Sequence, residues 1–416
     1  QRQMCIRDRL YSYMTVHTLP KFFIKNNMQK SNITGTYFKD IISKDDLYNI
    51  CYNLTGQSNF SYEFVNNEYE DEFLSKSYNK GRLGILKYYD KVFYISFSDL
   101  SNSGRNSALQ SVPTAFNLFF TNKHKNKKLY FYFLPQSINY TTSYHIFMYR
   151  LMASIGFYFL NIPNQLKGVI KPFNSIDDII LSRKDNSQKN SGNNATYIVK
   201  NGNNSYDIYG KTYGANKYDT SLICYAICSI AQKHDSITLF EYNEQDLSEL
   251  PKSSLNVLKL MGNINIIKID NQLELRHLRK DNSIRSPKFT ARLLDRFGDK
   301  KCVLCSCEIS EIIQGVHLWP VSKIKKRKDL SLEQQILYAT DGENGLWMCQ
   351  NHHKLFDSNI ITISENGKIN YRNNIERNYK YFLDNITTNF ELPSWVVTQN
   401  FQKYIKLRNN LIIQNL

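Results

Sequence analysis

The spacing of hydrophobic and polar positions changes several times along this chain, and the changes divide it into parts. Across 10–182, aromatic-rich runs alternate with helical patterns; the runs at 91–97 and 129–134 have the composition of half-buried strands. The most apolar stretch, 144–162, contains Arg150 and polar breaks, and it predicts a buried helix rather than a membrane span. Residues 183–205 are rich in Asn, Ser, Lys and Gly and predict a flexible linker or exposed loop.

Residues 196–280 predict a small α/β unit. Short strands at 197–199 and 205–209 flank Asn201-Gly202-Asn203, a hairpin signal. A helix at 220–232 and a strand at 237–242 follow, and Cys224 and Cys228, four apart on the apolar helix, read as core. Further on, Ser286 and Pro287 form an N-cap and first-turn pair. Phe289, Leu293, Leu294 and Phe297 then recur at helical spacing as a buried face, with Arg285, Lys288, Arg292 and Arg296 on the other side. That basic side is either a solvated face or a surface for phosphates.

The densest chemistry lies in 302–357. Cys302 and Cys305 form a C-x2-C pair, and Cys349 with His352 forms C-x2-H. Two such knuckles about forty residues apart suit one closed, tetrahedral structural zinc, with Cys307 an alternative to Cys305. His353 and Asp357 are four residues apart, so on a helix they share a face and can point at one ion. Imidazole with carboxylate suits magnesium or manganese, with zinc a further option. His317 sits in the apolar run Gly315-Val316-His317-Leu318-Trp319-Pro320, where a lone histidine is ordinarily a core residue. Beside an ion site it acquires a second reading, as the near-neutral base that deprotonates water. Asn344 opens an Asn-Gly turn; it either simply forms that turn or bridges backbone groups to hold the loop bearing His317.

Taken together, these residues resemble the HNH nucleases, whose ββα-metal finger holds a hairpin, a loop and a helix around one catalytic ion. The run from Asn344-Gly345-Leu346 through His353-Lys354-Leu355-Phe356-Asp357 is similar to bacterial HNH restriction endonucleases, as is Arg296-Phe297-Gly298. The resemblance covers roughly 285–370. It implies His317 as general base, Asn344 as the residue orienting the loop, and His353 as a metal ligand. Many relatives carry Asp or His just before the first histidine; this chain has Val316, so Asp357 is taken as the further ligand. The expected fold is α+β: a C-terminal zinc-stabilised ββα-metal finger within 285–416, appended to mixed α/β N-terminal and middle regions.

Composition extends the picture. The formal net charge is +16 and the pI about 9.2, which favours a polyanionic partner, read here as double-stranded DNA. Lys323, Lys325, Lys326, Arg327 and Lys328 crowd the loop between His317 and Asn344, either near the substrate or as a mobile basic insertion. In the N-terminal part, the polar run 101–107 with Arg105 and Asn106 is an ordinary connection or a reader of base edges. Gly210 to Lys217 lacks phosphate-loop spacing and predicts a turn, and Asp207 with Lys211 lacks the carboxylate-x-Lys element of a second nuclease core. Eight clustered cysteines argue against a disulfide framework and for a reducing cytoplasm. Residues 1–9 resemble translated adapter read-through and are set aside as a non-native leader, with Met14 the expected start and Met28 a second option.

The expected activity is a metal-dependent DNA endonuclease, a sequence-specific restriction enzyme whose genomic companion would be a modification methyltransferase. A homodimer is compatible with that reading. A homing or nicking HNH enzyme, or a catalytically silent zinc-stabilised DNA-binding protein, is the alternative.

Overall fold

A computed structural model describes residues 20–25, 42–65, 83–98, 111–135, 143–185, 196–211, 216–242, 250–279 and 286–413. Residues 1–9, the polar run 101–107 and Arg285 lie outside these. The chain forms two compact units: one from the described parts of 1–186, 212–233 and 245–264, the other from those of 187–211, 234–244 and 265–416.

The first unit is built on a six-stranded sheet. Its strands are β1 (Lys21–Lys25), β2 (Ser61–Val65), β3 (Leu83–Tyr88), β4 (Lys91–Phe97), β5 (Asn126–Tyr132) and β6 (Phe157–Leu160), in the order β2-β1-β3-β4-β5-β6. β4, β5 and β6 run parallel, whereas β3 is antiparallel to both β1 and β4. Helix α1 (Lys44–Thr55) begins at a capping box between Ser43 and Asp46, and its Leu47 and Ile50 join Phe22, Leu86, Phe93 and Ile95 in one core cluster. α2 (Ser111–Thr121), α3 (Ser143–Ser154), α4 (Ile176–Asp185), α5 (Asn216–Ile230) and α6 (Lys252–Met261) complete the unit. Cys224 and Cys228 are buried in α5, in keeping with a core reading.

The apolar run 144–162 is not one helix. It breaks after α3 at Gly156, whose φ of 92° ends the helix, and Phe157 onward pairs with β5 as β6. Hydrophobicity all round suited both halves, so the run alone did not reveal the break. Among the described residues, no helix is long and apolar enough to cross a membrane.

The second unit joins a four-stranded sheet to the segment that carries the candidate chemistry. β7 (Thr196–Gly202) and β8 (Ser205–Lys211) form the expected antiparallel hairpin; β9 (Ser236–Tyr242) runs parallel to β8, and β10 (Ile264–Ile269) closes the order β10-β9-β8-β7. α7 (Asn271–Arg279) and α8 (Pro287–Phe297) follow. α8 starts where the sequence predicts, with Ser286 Oγ accepting from the Phe289 amide and Pro287 in the first turn. Its Phe289, Leu293 and Leu294 are buried in a single core shared with Val199, Tyr209 and Tyr242 of the sheet and with Trp347. Lys211 is drawn to Asp295 of α8 at 2.8 Å, a contact within the unit that Asp207 does not share.

The remainder is the finger and its supports. β11 (Ile313–His317) pairs antiparallel with β12 (Gly345–Cys349), and the helix Gln350–Asp357 follows β12 directly. Between the strands lie the short helices α9 (Val321–Ile324) and α10 (Leu332–Thr340); α11 itself spans Gln350–Asp357. β13 (Ile361–Ile363), β14 (Ile369–Tyr371), α12 (Arg377–Ile386) and α13 (Gln399–Ile413) end the unit. Strand, strand and helix thus occur in the order expected of a ββα finger, within a fold of mixed helices and sheets.

Candidate active site and metal centre

Helix α8 can approach the β11–β12 hairpin closely because two strand positions lack side chains. A Cβ on Gly315 would lie 2.6 Å from Leu293 Cδ1, and one on Gly345 would strike the Phe289 ring. With glycine at both positions, the Phe289 ring lies flat against His317, the centroids 3.8 Å apart and the planes 13° from parallel. His317 ends β11, opposite Gly345. Its Nε2 is 2.9 Å from the Ala339 carbonyl, which can only accept, so the neutral ring carries its proton on Nε2 and its lone pair on Nδ1.

Asn344 is fully buried and uses its amide on both sides of the loop that leaves His317. Its Oδ1 accepts from the Trp319 amide at 2.7 Å, while Nδ2 donates to the Trp319 and Tyr338 carbonyls at 3.2 and 2.9 Å. The Leu318 amide also donates to the Asn344 carbonyl at 2.9 Å. Asn344 is therefore more than a turn former: it ties together the chain on either side of the long connection.

The two knuckles meet. Ligand atoms of Cys302, Cys305, Cys349 and His352 all lie within 4.8 Å of one another. Individual separations are 3.5 Å from Cys302 Sγ to His352 Nδ1, 3.2 Å from Cys349 Sγ to the same nitrogen, and 3.9 Å between Cys305 and Cys349 sulfurs. Zinc–sulfur and zinc–nitrogen bond lengths imply tetrahedral edges of about 3.5–3.8 Å, so the donor set fits zinc. Cys305 rather than Cys307 belongs to it; Cys307 instead accepts, through its carbonyl, the Cys302 amide at 3.0 Å.

The electrostatics agree with a cation at this place. Burial holds the Cys302 and Cys305 thiols above the ordinary cysteine range, with neighbouring thiols adding to the effect. A dication would supply the charge that lets such thiols ionise together. Burial also lowers His352 to about 4, keeping its imidazole neutral, the form that ligates. His352 Nε2 lies 3.2 Å from Thr387 Oγ1, which leaves Nδ1 toward the sulfurs, an outer contact of the kind that orients a ligating ring.

On α11, His353 Nε2 and Asp357 Oδ2 are 3.0 Å apart at the expected i,i+4 spacing. That is close to the separation of adjacent ligands around an octahedral ion with bonds of about 2.1 Å, so the pair fits a magnesium-like ion as well as a direct ion pair. Val316 contributes nothing here: its side chain is buried and its register partner is Leu346. Among the described residues, the only grouping of three or more candidate ligands is the Cys/His cluster.

Basic residues expected on a phosphate-facing side have partners inside the unit. Arg296, half-buried, donates to the Gly342 carbonyl at 3.0 Å and the Val396 carbonyl at 2.5 Å, and burial lowers its pKa. Arg292 reaches the Thr340 carbonyl at 3.3 Å. Lys288 and Lys325 are half-buried and Lys326 is exposed, while the exposed Arg327 forms a close pair with Asp329.

Sequence reasoning missed several supports. Arg408 of α13 is buried, lies 3.7 Å from the Phe356 ring centre, and donates to the Phe356 carbonyl at 2.6 Å. A cation there suits the carboxyl end of α11. Tyr404 donates to Asp341 at 2.7 Å, bracing the turn before Asn344. The periodicity of α13 gives no local sign of either contact.

No curated protein matches the chain. Residues 302–364, which contain the paired knuckles, His317, Asn344 and the His353–Asp357 pair, match the family model described as HNH endonuclease.

Proposed function

We propose that the second unit carries a metal-dependent DNA endonuclease centre in which His317 deprotonates the attacking water. The observation that carries this reading is the fixing of the His317 ring: it is stacked on Phe289 and bonded through Nε2 to Ala339. A base held in one orientation with its lone pair at Nδ1 is arranged for proton abstraction. Asn344 is the positioning residue, since it binds the chain immediately after His317. His353 and Asp357 would hold the divalent ion, and Arg408, whose cationic head neighbours Asp357, would steady that end of α11. When bound, the ion would polarise the phosphate and stabilise the leaving oxygen.

Zinc held by Cys302, Cys305, Cys349 and His352 would be structural, since four protein ligands leave no open position. Lys288, Lys325, Lys326 and Arg327 are the proposed phosphate contacts, with Arg285, Arg292 and Arg296 as further candidates. Restriction of foreign DNA in a reducing cytoplasm, beside a modification methyltransferase, is the cellular role proposed for this activity. Among the described residues His353 and Asp357 pair without a third candidate ion ligand grouped with them, which favours one rival, a silent DNA-binding finger. Supercoiled plasmid incubated with the protein and magnesium or manganese decides between them: nicked or linear product that disappears with EDTA supports the nuclease, and intact plasmid under every ion supports the rival.

A further inference from the structure

One end of the six-stranded sheet in the first unit is basic. β1, β2, β4, β5 and β6 begin there and β3 ends there, as the registers Lys21↔Ser61, Lys21↔Lys87, Tyr88↔Lys91, Lys91↔Asn126 and Leu129↔Phe157 require. The segments that form it, 20–21, 57–61, 87–91, 122–128 and 156–158, carry seven lysines against one carboxylate, Asp90, which accepts from Asn126. Lys127 turns inward and donates to the Phe119 and Asn122 carbonyls at the end of α2. Lys21, Lys87, Lys91, Lys123, Lys125 and Lys128 are exposed, and none forms an ion pair with a described carboxylate. Lys87 and Lys128 lean instead on the Phe23 and Tyr158 rings, 4.7 and 5.5 Å from their centres. Lys21 and Lys87 stand directly opposite each other on neighbouring strands, a like-charged pair that works against the sheet until an anion joins it.

The tip of the β3–β4 hairpin adds an independent sign. Its loop is two residues long, Tyr89 and Asp90, because Tyr88 pairs with Lys91. Tyr89 holds φ at 52°, where such loops ordinarily carry glycine or asparagine, and it is 61% exposed. Its ring meets Tyr88 edge-on, with centroids 4.5 Å apart. A bulky side chain in that backbone conformation is strained, and strain of this kind gathers at binding surfaces. Asparagine would relieve it, so the aromatic ring at this tip has a use beyond folding.

We propose that this end of the sheet is a further DNA-binding surface, on which the lysines follow the phosphates of one strand and Tyr89 packs against the sugars beside them. The adjacent strands β1, β3, β4 and β5 span about 14 Å at the usual strand spacing. That matches the axial rise of about four phosphates along one strand of a duplex. Contacts of this kind carry no sequence information; they position the duplex and gain affinity by releasing condensed counterions. The proposal rests on the reading of the chain as acting on DNA, and its residues lie wholly in the first unit, apart from the finger.

Fluorescence anisotropy of the full chain with a labelled duplex of arbitrary sequence, without divalent ions and across a range of potassium chloride concentrations, tests the proposal. Each phosphate contact contributes about 0.9 to the slope of log affinity against log salt, so Lys91→Ala, Lys123→Ala and Lys125→Ala together should flatten it by about 2–3. All three side chains are exposed, so zinc content and melting temperature should stay at wild type. Tyr89→Asn should melt no lower than wild type, because asparagine accepts that φ, yet bind the duplex several-fold more weakly. Unchanged binding in it would overturn the role given to the ring. An unchanged affinity and salt slope in the triple variant would overturn the surface, and plasmid cutting by the same protein would leave the nuclease reading standing. A flattened slope in a protein that cuts nothing would keep the surface and reject the nuclease. Lysine-dependent binding to vesicles of anionic phospholipid, with none to the duplex, would assign this end to a membrane and overturn the proposal.

Discussion

Replacing Asn344 with alanine strips three hydrogen bonds from a fully buried place. The Trp319 amide, 2.7 Å from Oδ1, loses its acceptor, and the Trp319 and Tyr338 carbonyls lose donors at 3.2 and 2.9 Å. No water-exposed rearrangement is at hand, because Asn344 is 0% exposed. An unsatisfied buried group costs about 1–3 kcal/mol, and carbonyls are the more tolerant, so the sum is roughly 3–5 kcal/mol. For a unit of this size that corresponds to a fall in melting temperature on the order of 10 °C. Asn344→Asp is the sharper companion. It keeps the acceptor for Trp319 but turns a carboxylate oxygen toward two carbonyls, so it should be no better than alanine. Differential scanning calorimetry of zinc-loaded protein reads both. The loop that Asn344 pins begins at Leu318, directly after His317, so DNA cleavage should fall further than the folded fraction accounts for. Melting within about 2 °C of wild type in both variants would refute the bridging role.

Cys349→Ala should lose zinc and lower the melting temperature, whereas Cys307→Ala should retain both; metal analysis showing equal loss in the two would overturn the ligand set. Gly345→Ala should push the Phe289 ring off His317, destabilising by about 1–3 kcal/mol through overpacking, and cleavage at the wild-type rate would show that the stack does not position the base. His145, buried in the first unit, is lowered to about 4 by burial. Its unfolded form begins to take up a proton below about 6.5, so that unit should lose up to about 3 kcal/mol as pH falls from 6.5 to 4. Urea melts of wild type and His145→Phe across that window should converge toward the acid end, and parallel pH profiles would contradict the assignment.

The elements that sequence made legible are those encoded locally. Ser286 and Pro287 mark the start of α8 because a cap and its first turn are neighbours in the chain. The C-x2-C and C-x2-H knuckles are readable because ligand spacing within a knuckle is short, although choosing Cys305 over Cys307 required the folded turn. Partners set by tertiary packing left no such trace. Arg292 and Arg296 look like a basic stripe, yet each also donates to carbonyls some fifty to one hundred residues away in the chain. Arg408 reaches Phe356 from 52 positions later, and its charge in α13 looks like any surface arginine. The Phe289–His317 stack depends on glycines at 315 and 345, whose purpose becomes visible only when α8 is laid across the hairpin.

The central claim is that His317 is the base of a DNA-cutting centre, and cleavage by His317→Ala tests it most directly. Linearisation of plasmid in magnesium or manganese should slow by roughly a hundred- to ten-thousand-fold, with zinc content, melting temperature and DNA affinity close to wild type. Raising the divalent ion should not restore it, because an ion supplies no proton acceptor at that position, whereas His353→Ala should recover in part. Wild-type cutting by His317→Ala would contradict the account.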